Sequence, residues 1–248
     1  MSVLGNNLLV QYYAQNSLSA KSYVQDGLIA LWDGIENAGW GVHNNSAVVW
    51  KDLIGVRDFS LNTNEQGRAS FTHNAFYMAK VADNNKWAAY SHTGTMTAYR
   101  TAEIVAQTTY GNFDWLNVGA KTRGFYIGSP STSNDTFLQA GTGTPYHSLK
   151  NFNIDSPFCF SVVYDNNNIQ ASYPISMFYN GIEQEMSNTG YTSYVQNTEG
   201  ITLGGRYVNV ADYGGCGYTF CIRIYNRQLS SSEIAHNHNV DKIRFNLP

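Results

Sequence analysis

Asn180-Gly181 lies inside the segment Ser176 to Met186 and constrains the fold more tightly than any other feature of the chain. A type I′ turn needs positive φ at both central positions, which glycine adopts freely and asparagine tolerates, so the chain must reverse there into an antiparallel hairpin. Upstream, Phe158 to Tyr164 is an apolar run that ends in Asp165-Asn166-Asn167-Asn168, whose side chains bond to nearby backbone and favour a turn. Downstream, Gly200 to Tyr207 reads as a strand, and Cys216 to Asn226 reads as another that leads into Ser230-x-x-Glu233. That spacing is a capping box: the Ser230 hydroxyl accepts from the third helical amide, and Glu233 reaches back to the cap amide. The last third of the chain is thus expected to run strand, hairpin, strand, strand and short helix.

The rest of the chain agrees with a β-rich domain. Aromatic residues make up 14% of the 248 residues and charged residues only 13%. Aromatic rings pack well on a half-buried pleated surface, and the scarcity of Glu and Lys removes the best exposed-helix formers. Segments 98–107, 113–118, 124–127 and 136–140 recur at about the 8 to 12 residue spacing of a sandwich. A chain of this length suits one such domain, assigned here to residues 23–248. Residues 1–22, rich in Asn, Gln, Ser and Tyr, are read as an arm that attaches to the domain or to a virion or homo-oligomer partner.

Charge and cysteine content narrow the setting. A net charge of −3 supplies no basic field for a phosphate backbone, so nucleic acid is not an expected partner. No apolar stretch approaches the roughly 18 residues of a membrane span, and no classical signal peptide is read at the start. Cys159, Cys216 and Cys221 each lie in strand-like runs and are expected to be buried, reduced thiols.

Val163-Tyr164-Asp165, Phe178-Tyr179-Asn180-Gly181, Leu203-Gly204 and Ile222-Arg223-Ile224-Tyr225-Asn226-Arg227-x-Leu229-Ser230-x-x-Glu233-Ile234 together resemble the laminin G-like branch of the concanavalin A-like lectin and glucanase superfamily. Gly27 to Asp33 and Trp50 to Leu53 resemble the first strand and early loop of such domains, so the resemblance covers roughly residues 23 to 245. It implies an all-β, antiparallel jelly-roll β-sandwich, concanavalin A-like, with a short C-terminal helix. It also implies a sugar-binding or adhesive module, although some relatives hydrolyse glycosides.

Catalysis is not expected. The glucanase string Glu-x-Asp-x-x-Glu that the resemblance would supply is absent, and Glu183-Gln184-Glu185 reads as an exposed hairpin strand. His236 and His238 are two residues apart, the wrong spacing for one helix face, and are expected at the surface near a helix end. No cofactor is assigned with certainty. Calcium is the candidate metal, since the resemblance brings loop carboxylates and carbonyls, and Asp33 and Asp212 are its candidate ligands or else turn stabilisers.

A sugar site needs an exposed aromatic plane flanked by amides, carboxylates or guanidinium groups. Three clusters meet that requirement: Trp40 with His43 and Asn44; Trp87 beside Asn84 and Asn85; and Arg206 and Tyr207 with Asp212 and Tyr213. Trp32, Trp50 and Trp115 fall within strand-like runs and are expected in the core. The reading is a noncatalytic lectin-like module for a glycan or cell-surface polysaccharide, extracellular or on a virion surface. Its alternative is a bacteriophage head-decoration or tail-fibre protein in which the sandwich serves assembly.

Overall fold

The computed structural model describes residues 18–61, 69–78, 90–95, 99–108, 113–118, 125–129, 137–141, 147–150, 155–164, 175–185, 199–203 and 217–248. After a single 3-10 turn at Ala20–Ser22, the strands in chain order are β1 (Leu28–Asp33), β2 (Val49–Trp50), β3 (Phe59–Ser60), β4 (Ala69–Phe71), β5 (Phe76–Met78), β6 (Tyr90–Thr95), β7 (Thr101–Thr108) and β8 (Phe113–Val118). They continue as β9 (Phe125–Ser129), β10 (Phe137–Gly141), β11 (His147–Lys150), β12 (Phe158–Tyr164), β13 (Ile175–Tyr179), β14 (Ile182–Gln184), β15 (Glu199–Leu203) and β16 (Gly217–Tyr225), and helix α1 spans Ser231–Phe245.

Two antiparallel sheets form the body. One is ordered β14-β13-β12-β7-β16-β5-β4, and the other β11-β10-β9-β8-β15-β6. β16 holds β7 along one edge; the other edge is shared by β5 at residues 217–219 and β1 at residues 221–225. Ile104 of β7, Phe160 and Val162 of β12, Ile222 and Ile224 of β16, and Trp32 of β1 meet Ile201 and Leu203 of β15 in one core between the sheets. Alternate residues of the same strands, Val105, Cys159, Val163, Cys221 and Tyr225, point the other way and pack with Ile234, Val240 and Phe245 of α1. The larger sheet is therefore buried on both faces, which is why Phe158–Tyr164 is buried at every position and apolar at all but Ser161. This is the expected all-β antiparallel sandwich with a C-terminal helix.

Local chemistry sets the joints. Asn180 has φ 50° and Gly181 φ 77°, the positive pair that a type I′ turn demands between β13 and β14. Gly181 is fixed a second time by crowding, because a Cβ there would stand 3.0 Å from the Cβ of His238. In β16, Phe220 is an extra residue between the pairs Thr219↔Ala106 and Cys221↔Val105. That bulge puts Phe220 and Cys221 in the same helix-facing cluster. Ser230 and Glu233 form the expected capping box, and the helix ends on Asn246 in the left-handed conformation with Lys242 and Arg244 in its last turn.

Cys159 and Cys221 are buried and free, as expected, while Cys216 lies outside the described residues. Both thiols belong to residues that pair with Val105, from opposite sides. Their Cα atoms are thus two strand spacings apart, about 10 Å, whereas a disulfide needs less than about 7 Å. Trp32 and Trp50 sit in the core with Phe59, Phe71 and Phe76, as expected. The side chain of Trp115 lies outside what the structure describes.

A polar layer separates α1 from the sheet. Arg223 of β16 is fully buried and donates from Nε to Glu103 Oε2 at 2.8 Å and from Nη1 and Nη2 to the two oxygens of Asp241 at 2.6 and 2.7 Å. Asn237 donates to Glu103 Oε2 at 2.7 Å, and Ser161 donates to Glu103 Oε1 at 2.9 Å. Arg244 donates to Asp33 Oδ2 at 2.8 Å and to Glu36 Oε1 at 3.2 Å.

The helix corrects the expectation of a helix-end position for both histidines and of a surface position for His238 alone. α1 runs on to Phe245, so both lie mid-helix; His236 is exposed and bonds the carbonyl of Ser22, but His238 is 8% exposed and packs over Gly181. The last residues of the expected arm, 18–22, are seated on the domain itself. Ala20 is buried, its amide donates to Glu36 Oε1 at 2.7 Å, and the carbonyl of Leu18 accepts from Arg244 at 2.7 Å. Residues 1–17 lie outside the described residues.

Candidate functional site

Where β1 ends, the chain enters a loop that carries the first candidate cluster. Gly34 passes so close to the backbone of Asn74 that a Cβ would collide with its carbonyl oxygen. Asp33 then turns the chain, its Oδ1 accepting from the amides of Ile35 and Glu36 at 2.9 Å each. Asn37 clamps the two sides of the loop: its Nδ2 donates to the carbonyl of Asn44 and its Oδ1 accepts from the amide of Asn44, both at 2.8 Å. Above the clamp, the amide of Val42 donates to Gly39 at 2.9 Å and the amide of Ala38 donates to Val42 at 3.1 Å, closing a tight tip.

Trp40 occupies that tip between Gly39, with φ 138°, and Gly41, with φ 68°. Space around both glycines is open, so backbone conformation and not crowding calls for them. Trp40 is 37% exposed and Val42 is 51% exposed. The loop is held from beneath by Glu36, whose Oε2 accepts from the amide of Gly41 at 2.8 Å while its Oε1 takes Ala20 and Arg244. An indole presented to solvent on a braced turn can stack against the C–H face of a planar or ring-shaped partner.

His43 and Asn44 are adjacent to Trp40 but serve the loop. The ring nitrogens of His43 bond the carbonyl of Ile35 at 2.9 Å and Asn45 Oδ1 at 2.8 Å, and Asn44 Oδ1 accepts from the amide of Ser46 at 2.8 Å. Asp33 stabilises the turn that begins the loop. Its carboxylate is fully buried, Oδ1 is occupied by two amides, and Oδ2 faces the Arg244 guanidinium, which a calcium ion would have to displace. Burial pushes its pKa up, and the Arg244 charge opposes that shift. Trp87, Arg206, Tyr207, Asp212 and Tyr213 lie outside the described residues.

Cys159, His238 and Asp241 bring ligand-type atoms within 4.8 Å of one another beneath α1. The arrangement suits an ion pair and not a metal. Both Asp241 oxygens are taken by Arg223, whose Nη2 also stands 3.9 Å from Cys159 Sγ, and burial raises the Cys159 pKa so that the thiol keeps its proton. On the β14 hairpin, Glu183 and Glu185 are exposed, in keeping with a solvated edge.

The glycines flanking Trp40 mark it in the sequence as a loop residue, whereas nothing there marks Glu36 and Asn37, which brace the loop, or Lys21, which meets the indole. Lys21 lies in the 3-10 turn with its ammonium 5.3 Å from the centroid of the Trp40 ring. Nothing in the local pattern of Lys21 marks it, because the contact is made by folding residues 18–22 back onto the loop.

No protein-family model matches the chain, and no curated protein matches it. Among solved structures the chain is similar to a Trypanosoma rangeli sialidase in complex with 2-keto-3-deoxy-D-glycero-D-galacto-2,3-difluoro-nononic acid. The identity is 14% and the TM-score 0.60, over 97% of this chain and 40% of the sialidase. The chain thus matches about two fifths of that protein's length. It is also similar to domain 4 of AbnA, a GH43 extracellular arabinanase from Geobacillus stearothermophilus, in complex with arabinotriose. There the identity is 13% and the TM-score 0.55, over 85% of this chain and 98% of that domain. At these identities the likeness shows the β-sandwich fold. The laminin G-like resemblance therefore reduces to the broader sandwich architecture. Among the described residues no helix is long and apolar enough to cross a membrane.

Proposed function

We propose that this chain is a noncatalytic carbohydrate-binding module that holds its glycan against the Trp40 loop. The observation that carries this reading is the braced tip itself: an exposed indole on a turn that the buried side chains of Glu36 and Asn37 hold by hydrogen bonds. A preorganised aromatic plane binds a sugar without the entropy cost of ordering a loop. The match to nearly the full length of an arabinanase domain complexed with arabinotriose supports the same direction. The laminin G-like resemblance adds an adhesive setting, outside the cell or on a particle surface, where such a loop would meet polysaccharide.

A glycan array probed with the wild-type protein and with Trp40→Ala, each with and without calcium, tests the reading. Wild type is expected to bind one glycan class equally in both conditions, and Trp40→Ala to lose roughly tenfold or more in affinity. Retention of full affinity by Trp40→Ala would move the site to another loop. Silence of the wild type would contradict sugar binding and favour an assembly role in which residues 1–17 attach the domain to a partner.

A further inference from the structure

We infer that the Trp40 loop selects acidic sugars, with Lys21 as the group that reads the sugar's carboxylate. This inference rests on the Trp40 loop being the sugar-binding surface, and it adds the charge class of the ligand. A single buried carboxylate sets the geometry. Glu36 Oε1 accepts from the amide of Ala20 at 2.7 Å, and Glu36 Oε2 accepts from the amide of Gly41 at 2.8 Å. Residues next to each of those amides, Lys21 and Trp40, are therefore brought together on opposite ends of one rigid bridge, which Arg244 braces from behind at 3.2 Å. The ammonium lies 5.3 Å from the indole centroid.

Lys21 differs from its cationic neighbours in having its charge uncommitted. Lys51 is paired with Asp58 at 2.6 Å, Arg244 with Asp33 at 2.8 Å, and Arg57 faces Asp52 at 3.8 Å. Among the described residues Lys21 has no ion pair, and its ammonium rests over the ring of an exposed tryptophan. An exposed cation over an aromatic face is weakly held. A hexuronate or sialic acid ring that stacks on the indole brings a carboxylate within reach of the same ammonium, which exchanges a weak partner for a charge-assisted hydrogen bond. A neutral sugar offers the indole its C–H face but leaves the ammonium with nothing to gain. The pair therefore provides stacking for any sugar and preference for an anionic one.

The test uses the full-length protein and a panel of hexuronate and sialic acid glycans, each beside its carboxyl methyl ester, which removes the charge and adds one methyl group. Binding is measured by calorimetry at low and high salt for wild type, Lys21→Gln and Lys21→Arg. The expected result is acid forms bound at least about fivefold tighter than esters at low salt, a preference erased by Lys21→Gln and by high salt and kept by Lys21→Arg. Equal affinity for acid and ester, or binding of neutral glycans alone, would overturn the inference and leave the Trp40 reading standing. No binding of any glycan by wild type would overturn both.

Discussion

Arg223 shows how much a single side chain can organise. It is wholly buried, yet each of its donors toward Glu103 and Asp241 is matched, and the Tyr23 ring lies 4.2 Å from its guanidinium carbon. Removing one member of such a network leaves buried charge without a partner. Arg223→Met is therefore expected to cost about 3–5 kcal/mol, read as a fall in the urea midpoint. Arg227, partly exposed in its pairs with Asp26 and Glu233, is expected to cost under about 1 kcal/mol when changed to Met. An Arg223→Met variant as stable as wild type would show that the polar layer is not what joins α1 to the sheet. Ile222 and Ile224 face the core between the sheets, so Arg223 between them projects from the opposite face of its strand toward α1. The sequence could not show that a helix covers that face, because the partner Glu103 lies on a strand 120 residues away.

At the scale of elements, the hairpin and the helix were the legible parts. Asn180-Gly181 gave its turn because positive φ is a local property, and Ser230 to Glu233 gave its cap because the box closes within one helical turn. Gly181→Ala is expected to destabilise by about 1–3 kcal/mol, since it combines an unfavourable φ with contact against His238. An unchanged melting temperature would mean that β14 and α1 separate freely. Glu233 supplies a pH signature. Its hydrogen bonds from the Arg227 guanidinium, and then from Ser230, hold its pKa at about 2, below the ordinary 4.5. Its contribution to stability is complete above about 4.5 and is lost as pH falls through about 2. Glu233→Gln should flatten that part of an acid titration while leaving neutral-pH folding intact. A wild-type curve with no Glu233-dependent step there would show that the pair is too solvated to matter. The positions of His236 and His238 were less legible, because the helix extends well beyond its cap and its register, not its end, decides which ring is buried.

Across the whole molecule, residues 18–22 join the N-terminal side of the chain to α1 and to the Trp40 loop at once. Truncation to Tyr23 removes the Ala20 bond to Glu36 and the Leu18 bond to Arg244, and it is expected to lower the melting temperature by several degrees. No change would assign these residues to a separable arm. The sandwich could be read from strand spacing and aromatic content, and Trp40 from the glycines beside it. The convergence of Lys21, Glu36 and Trp40 could not, since it depends on which segments the fold brings together. The most direct test is a titration of indole-labelled protein with a glycan that it binds, following the five tryptophan Nε1–H signals. The Trp40 signal, assigned by its loss in Trp40→Phe, is predicted to shift, while Trp32 and Trp50, bonded to the carbonyls of Arg57 and Asp33, stay in place. Saturable shifts confined to another indole, with Trp40 unmoved, would contradict the account.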